Sequence, residues 1–239
     1  MTTFAAALAD RLAHDPGQPL ITFYDEATGE RVELSVTTYA NWVAKTASLL
    51  VEELDLERGD TLLVDLPTHW LGPVFLGAAW TAGLVVRLPG EDDVATLGGV
   101  VCGPASLEDH AGLAQRMPVL ATALRPLGAR FVEPLPAGVH DFGTEVWSQP
   151  DAFVPFDPPE QDDEALRGRS QGELLREAAA DPRVADGARL LSVDNATTEA
   201  GLHTFLTPLT RRGSSVWVVG ADAARLASIA RSEQATLAR

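Results

Sequence analysis

The sequence predicts an α/β protein: mostly parallel, twisted sheets with flanking helices. Three observations lead there. Apolar runs of strand length alternate with segments of helical spacing along most of the chain. Two of the runs, TLLVDLP and LVVRLP, are continuously apolar, as strands covered on both faces are. The stretch between them has the length and composition of a helix, so strand, helix and strand form a parallel crossover.

Thr3 to Leu12 carries apolar residues at helical spacing, and PLITFYD has the β-branched and aromatic content of a strand. EATGE is a turn and RVELS a second strand. From Thr37 to Leu54 the residues Tyr39, Trp42, Val43, Leu49, Leu50 and Leu54 form one apolar stripe, with Thr37 or Thr38 as the expected cap and Gly59 just past the end. TLLVDLP, a helix from Trp70 to Ala82, a stop at Gly83 and LVVRLP complete the crossover. Between Gly90 and Gly138 come apolar TLGGVVCG, a helix through LEDHAGLAQRM, then VLATALRPLG and RFVEPLP. The last third repeats the alternation: a helix in GELLREAAA, a strand in RLLSVDN, a helix in TEAGLHTFLTPLTRRG, a strand in SSVWVVG and a final helix from Asp222 through Ala238. The expected organisation is an N-terminal α/β subdomain over 1–154, an acidic Pro-rich loop over 155–170, and a C-terminal βαβα portion over 171–239 that packs with the first as one compact unit.

The totals exclude several classes. A net charge of −16, from 18 basic against 34 acidic residues, argues against nucleic acid and against an anionic membrane surface, both of which need clustered cations. Trp70 to Val86 is the one membrane-span suspect, but it is interrupted by Gly72, Pro73, Gly77 and Gly83 and falls short of the ~20 residues a span needs. The start, MTTFAAALADRLAHD, lacks the pattern of a secretory signal, so a cytoplasmic location is expected and Asn195-Ala196-Thr197 is a chance match to the glycosylation sequon. Cys102 is the single cysteine and reads as a small buried hydrophobe.

The chemical motifs are weak. TLGGVVCGPAS has glycines after an apolar run, but Pro104 and Ala105 stand where a phosphate loop requires Lys and then Ser or Thr. Gly168-Arg169-Ser170-Gln171-Gly172 matches G-x-S-x-G, with Asp194 and His203 following in hydrolase order. No apolar strand precedes it to drive Ser170 into a strained elbow. His14, His69, His110, His140 and His203 show no metal-ligand spacing, and Asp162, Asp163 and Glu164 read as a solvated loop. Trp147 and Phe153 read as a hydrophobic hook into the core.

Two blocks read together resemble the adenylate-forming superfamily of acyl-CoA synthetases and adenylation domains. The first, ITFYDEATGE through WTAGLVV, carries Thr38-Tyr39 opening a helix, Gly59-Asp60 before a strand ending at Pro67, and Gly83-Leu84-Val85. The second, ARLLSVDNATTEAGLHTFLTPLTRRGSSVWVVG, carries Leu209, Gly213 and Val216 to Val219. The resemblance implies the fold of that superfamily's large N-terminal domain. It also implies that a Thr, Ser and Gly-rich loop wrapping the ATP phosphates should lie between the blocks, where this chain has PFDPPEQDDEALRGRS, with five carboxylates from Asp157 to Glu164. Carboxylates repel a polyphosphate. The superfamily's downstream nucleotide and magnesium motifs and its catalytic lysine have no counterpart, and Lys45, the sole lysine, matches neither lysine of the family.

The resemblance therefore implies a truncated, degenerate relative that is not a working adenylate-forming ligase, with no catalytic residue, no cofactor and no metal ligand assignable. The expected role is a binding or interaction module, a homodimer or partner complex, since an incomplete domain leaves apolar surface to cover. One alternative keeps an acyl or adenylate ligand in the crevice at the strands' carboxyl ends; the other is a serine hydrolase using Ser170. Deleting Asp162 to Glu164 is expected to leave stability almost unchanged.

Overall fold

The computed structural model describes residues 2–90 and 94–238. Helix α1 (Phe4–His14) opens the chain, with the Thr3 hydroxyl accepting the Ala6 amide as its cap. β1 (Pro19–Asp25) and β2 (Glu30–Ser35) pair antiparallel, and α2 (Val36–Ser48) follows directly. Its cap is Ser35, earlier than the two threonines expected: the Ser35 hydroxyl oxygen accepts the Thr38 amide at 3.1 Å. The last strand residue thus caps the helix. A π turn over Leu49–Glu53 then leads to β3 (Thr61–Asp65), α3 (Leu71–Ala82) and β4 (Val85–Arg87), with Gly83 ending α3 in the left-handed conformation at φ 80°.

The middle of the chain is less regular: β5 (Gly99–Cys102), α4 (Leu107–Ala111), β6 (Val119–Ala121), β7 (Val139–Asp141) and the short α5 (Phe142–Glu145). The acidic stretch expected as loop contains β8 (Glu164–Leu166) and β9 (Arg169–Ser170), a small antiparallel hairpin. After it come α6 (Gln171–Ala180), β10 (Arg189–Ser192), α7 (His203–Thr210), β11 (Ser214–Val219) and α8 (Ala223–Ser232). The expected final helix stops there. Gln234 has a φ of 52°, which turns the chain, and β12 (Thr236–Leu237) pairs parallel with β10.

Two sheets result. The first has seven strands in the order β7-β6-β5-β3-β4-β8-β9, parallel except at β8–β9; the second has five in the order β12-β10-β11-β1-β2, parallel except at β1–β2. β1 pairs with β11 from Ile21–Ser215 to Asp25–Val219, so the two ends of the chain share one sheet. α3 is buried at every position but Thr81. An all-round apolar helix needs cover on all sides, and α3 has it: β3 and β4 on one side, α1 and α2 on the other. Phe4, Trp80, Tyr39 and Phe205 interlock around it at centroid separations of 5.5 to 6.1 Å. The suspected span from Trp70 to Val86 is this helix and β4. Among the described residues no helix is long and apolar enough to cross a membrane.

Candidate functional site

In the seven-stranded sheet the chain runs from β3 to β4 on one side and then to β5 on the other. The strand order reverses at β3, and the crevice outside the carboxyl ends at such a reversal is where open sheets take ligands. Asp65 ends β3 there, Cys102 and Gly103 leave β5, and the following turn brings Ser106 and His110 across. The His110 Nε2 lies 2.8 Å from Asp65 Oδ2, with the side chains 16% and 29% exposed. The Ser106 hydroxyl donates to the Asp65 carbonyl at 3.4 Å. Cys102 adds no chemistry: burial pushes its thiol up to about 12, so it stays neutral.

The five-stranded sheet supplies the roof. Beyond β10, Asn195 Nδ2 donates to the Leu66 carbonyl at 2.7 Å and Thr197 Oγ1 donates to the same oxygen at 3.0 Å. The apparent sequon is therefore an internal tie between the sheets. It comes so close to α3 that a Cβ at Gly72 would stand 2.9 Å from Thr197 Cγ2. Below it His69 is buried, with Nδ1 accepting the Leu71 amide at 3.2 Å and its ring against Phe23 at 4.9 Å. Desolvation, only partly opposed by Asp25, pulls its pKa down to about 4. It is a neutral core residue.

The β8–β9 hairpin places the two halves of the acidic stretch at opposite ends of the sheet. β8 runs parallel to β4, so the residues before it lie at the amino ends of β3 and β4, away from the crevice. Arg58 sits there. Its Nε and NH2 donate to the two Asp163 oxygens, each at 2.8 Å, and NH1 donates to Asp157 at 2.8 Å. The guanidinium holds the Asp163 carboxyl below the usual carboxylate range, and Asp163 also accepts the Glu160 amide at 2.9 Å. Asp163 is thus a clamp on Arg58 and not a solvated loop residue: deleting 162–164 would remove two of these three Arg58 contacts and the first strand residue of β8.

At the carboxyl end only Arg167 and Gly168 join β8 to β9. Gly168 has a φ of 72°, which a non-glycine residue adopts at a cost. Its amide donates to the Glu164 carboxylate at 2.5 Å. Arg169 beside it is paired with Glu199 at 2.5 Å and Glu177 at 3.6 Å.

Ser170 is not placed as a nucleophile. Its φ and ψ of −77° and 164° are relaxed, and its hydroxyl oxygen accepts the Glu173 amide at 3.3 Å while Glu173 accepts the Ser170 amide at 2.8 Å. This is a reciprocal helix cap. The elbow match arose because a cap serine between two glycines has the same spelling. His203 Nδ1 lies 2.8 Å from the Ala200 carbonyl, and among the described residues no hydrogen bond joins Ser170, Asp194 and His203. Lys45 is ion-paired with Asp151 at 3.1 Å. Trp147 packs edge-on against Trp42 at 5.4 Å but is 55% exposed, whereas Phe153 packs against the core. Among the described residues no three His, Cys, Asp or Glu side chains are grouped to hold a metal. Sequence reasoning missed the Asp65–His110 pair, 45 residues apart, because no local spacing signals it.

No family model matches the chain. It superposes on the crystal structure of an acyl-CoA synthetase from Brucella canis with a TM-score of 0.81 at 16% identity, over 98% of this chain and 46% of that one. The structure of apo MatB from Rhodopseudomonas palustris gives 0.73 at 20% identity, over 99% and 48%. The N-terminal domain of FACL13 from Mycobacterium tuberculosis gives 0.72 at 16%, over 98% and 62%. The fold is thus that of the N-terminal part of acyl-CoA synthetases, and the chain spans about half the length of two of these three structures. In sequence it is 38% identical over 182 residues to a Mycobacterium tuberculosis protein described as "TIGR03089 family protein", a match that spans 75% of this chain and 72% of the relative. On that identity and coverage, the chain belongs to the TIGR03089 family, carried on an acyl-CoA synthetase N-terminal fold.

Proposed function

We propose that this protein is a non-catalytic relative of the adenylate-forming ligases that works as an interaction module. The observation that carries the reading is the Arg167–Gly168 turn. A phosphate cradle needs several free backbone amides and a cation at the carboxyl end of a strand; here the connection between β8 and β9 is two residues long, and the Gly168 amide is taken by the Glu164 carboxylate. The arginine beside the turn is engaged with Glu199 and Glu177, and the sole lysine is engaged with Asp151.

The test is carboxylate-dependent exchange of labelled pyrophosphate into ATP, run over short, medium and aromatic carboxylic acids with magnesium. No exchange above the protein-free blank is expected. Exchange that co-purifies with the protein and disappears in His110→Ala would overturn the proposal. A second reading, retention of a small ligand without turnover, is favoured by the Asp65–His110 pair in the crevice. It is separated from the first by saturable binding in the absence of exchange.

A further inference from the structure

Leu127, Trp147, Val154 and Phe156 are exposed apolar side chains, the last two at 89% and 106% exposure. Their order follows α2. Leu127 precedes Gly128, where a Cβ would stand 3.1 Å from Trp42, and Trp147 lies edge-on to the same Trp42. Further along the helix Lys45 donates to the Gln149 carbonyl and Ser48 to its side-chain oxygen at 2.8 Å. From there the chain runs as an irregular strap to Asp157 and Asp163 on Arg58, past the end of α2.

The strap is therefore fixed at both ends. Between them Phe153 turns to the core while Val154 and Phe156 turn out. Two large hydrophobes held in place in solvent forgo the burial that folding normally gives them. An ordered apolar display of this kind marks an interaction surface.

Charge decides what it fits. Along the strap itself, Lys45 and Arg58 are occupied by Asp151, Asp157 and Asp163. Glu52, Asp55, Glu57, Glu160 and Asp162 remain exposed around the strap. A second copy would bring the same carboxylates, on a chain of net charge −16, face to face with these, which costs rather than stabilises. We propose that the strap from Pro150 to Asp163 is a docking surface for another protein, one that offers an amphipathic helix with an apolar face for Val154 and Phe156 flanked by lysine and arginine. This rests on the reading of the chain as an interaction module.

The probe is a synthetic amphipathic helical peptide of leucine and lysine, titrated into the full chain at low salt and followed by tryptophan fluorescence and by calorimetry. Saturable one-to-one binding is expected, weakened at least tenfold in the Val154→Ser, Phe156→Ser double variant and weakened again by 0.3 M salt. A leucine–glutamate peptide and a peptide of lysine alone should not bind comparably. The two substitutions are on the surface, and an unchanged melting temperature shows that the variant is folded. Equal binding by the double variant overturns the proposal, since the peptide would then be reading general acidity. So does the absence of saturable binding. A concentration-dependent dimer that the double variant abolishes overturns it in favour of a second copy. The exchange assay on the same samples is independent: exchange with a working strap refutes the interaction-module reading alone, and no exchange with an inert strap refutes the surface alone.

Discussion

Gln171→Met replaces a buried amide by an apolar side chain of similar shape, at the point where three helices meet. Gln171 is 2% exposed. Its Oε1 accepts the amide of Phe4, the first residue of α1, at 2.9 Å, and its Nε2 donates to the Trp80 carbonyl near the end of α3 at 2.8 Å. Methionine offers neither group. The Phe4 amide, at a residue 1% exposed, would be left without a partner, which costs about 1–3 kcal/mol. The Trp80 carbonyl keeps the Gly83 amide at 3.3 Å, so its loss is that of one ordinary hydrogen bond, about 0.5–1.5 kcal/mol. The sum is a destabilisation of about 1.5–4.5 kcal/mol. Urea unfolding followed by circular dichroism reads it: with an m-value of about 3 kcal/mol/M the midpoint falls by about 1 M. A loss under about 0.5 kcal/mol would refute the claim that this amide joins α6 to α1 and α3.

Gly77→Ala tests the packing of α3 against α2: its Cβ would stand 2.2 Å from the Tyr39 hydroxyl and 2.9 Å from Phe4 Cζ. Tyr39 is buried and held by the Pro73 carbonyl at 2.8 Å, so the overlap should cost about 1–3 kcal/mol and lower the melting temperature by several degrees. His69 gives a pH signature. Its folded pKa, pulled by burial to about 4, is below the ~6.5 of an unfolded histidine. Below 6.5 the unfolded state takes up the proton first, so stability falls as pH drops from about 6.5 to 4 and this contribution is spent below that. Denaturation midpoints of wild type and His69→Gln should diverge least at the acid end of that window, and parallel curves throughout would contradict it. Cys102 is fully buried with its thiol raised to about 12, so a thiol-selective disulfide reagent should label it only after denaturant is added; stoichiometric labelling of native protein would show the crevice floor to be open.

The legible parts of the fold were those with a strong local period. The β1–β2 hairpin, α2, β3, α3 and β4 were all foreseen in order because apolar alternation, a helical stripe and Gly83 each act within a few residues. The misread parts depend on distant partners. β12 is two residues that exist as strand only beside β10, and Asp163 looked solvated because its partner Arg58 is 105 residues away. The candidate site was less legible still: the resemblance pointed to the stretch 155–170, but only the strand directions show that Asp157, Glu160, Asp162 and Asp163 lie at the amino end of the sheet and that the crevice end is the Arg167–Gly168 turn. Asp65 and His110 carry no motif, and the motif that did stand out, around Ser170, is a helix cap.

The measurement that bears most directly on the central claim is a thermal-shift titration with ATP and magnesium, with AMP, and with a non-hydrolysable acyl-adenylate. A ligand held at 100 times its dissociation constant adds about 2.7 kcal/mol to the folded state, an effect a melting curve resolves easily. With the Gly168 amide occupied by Glu164 and no longer loop to wrap a phosphate, none of the three should move the midpoint. A saturable rise with any of them, lost in His110→Ala, would contradict the account and restore the crevice as a working nucleotide site.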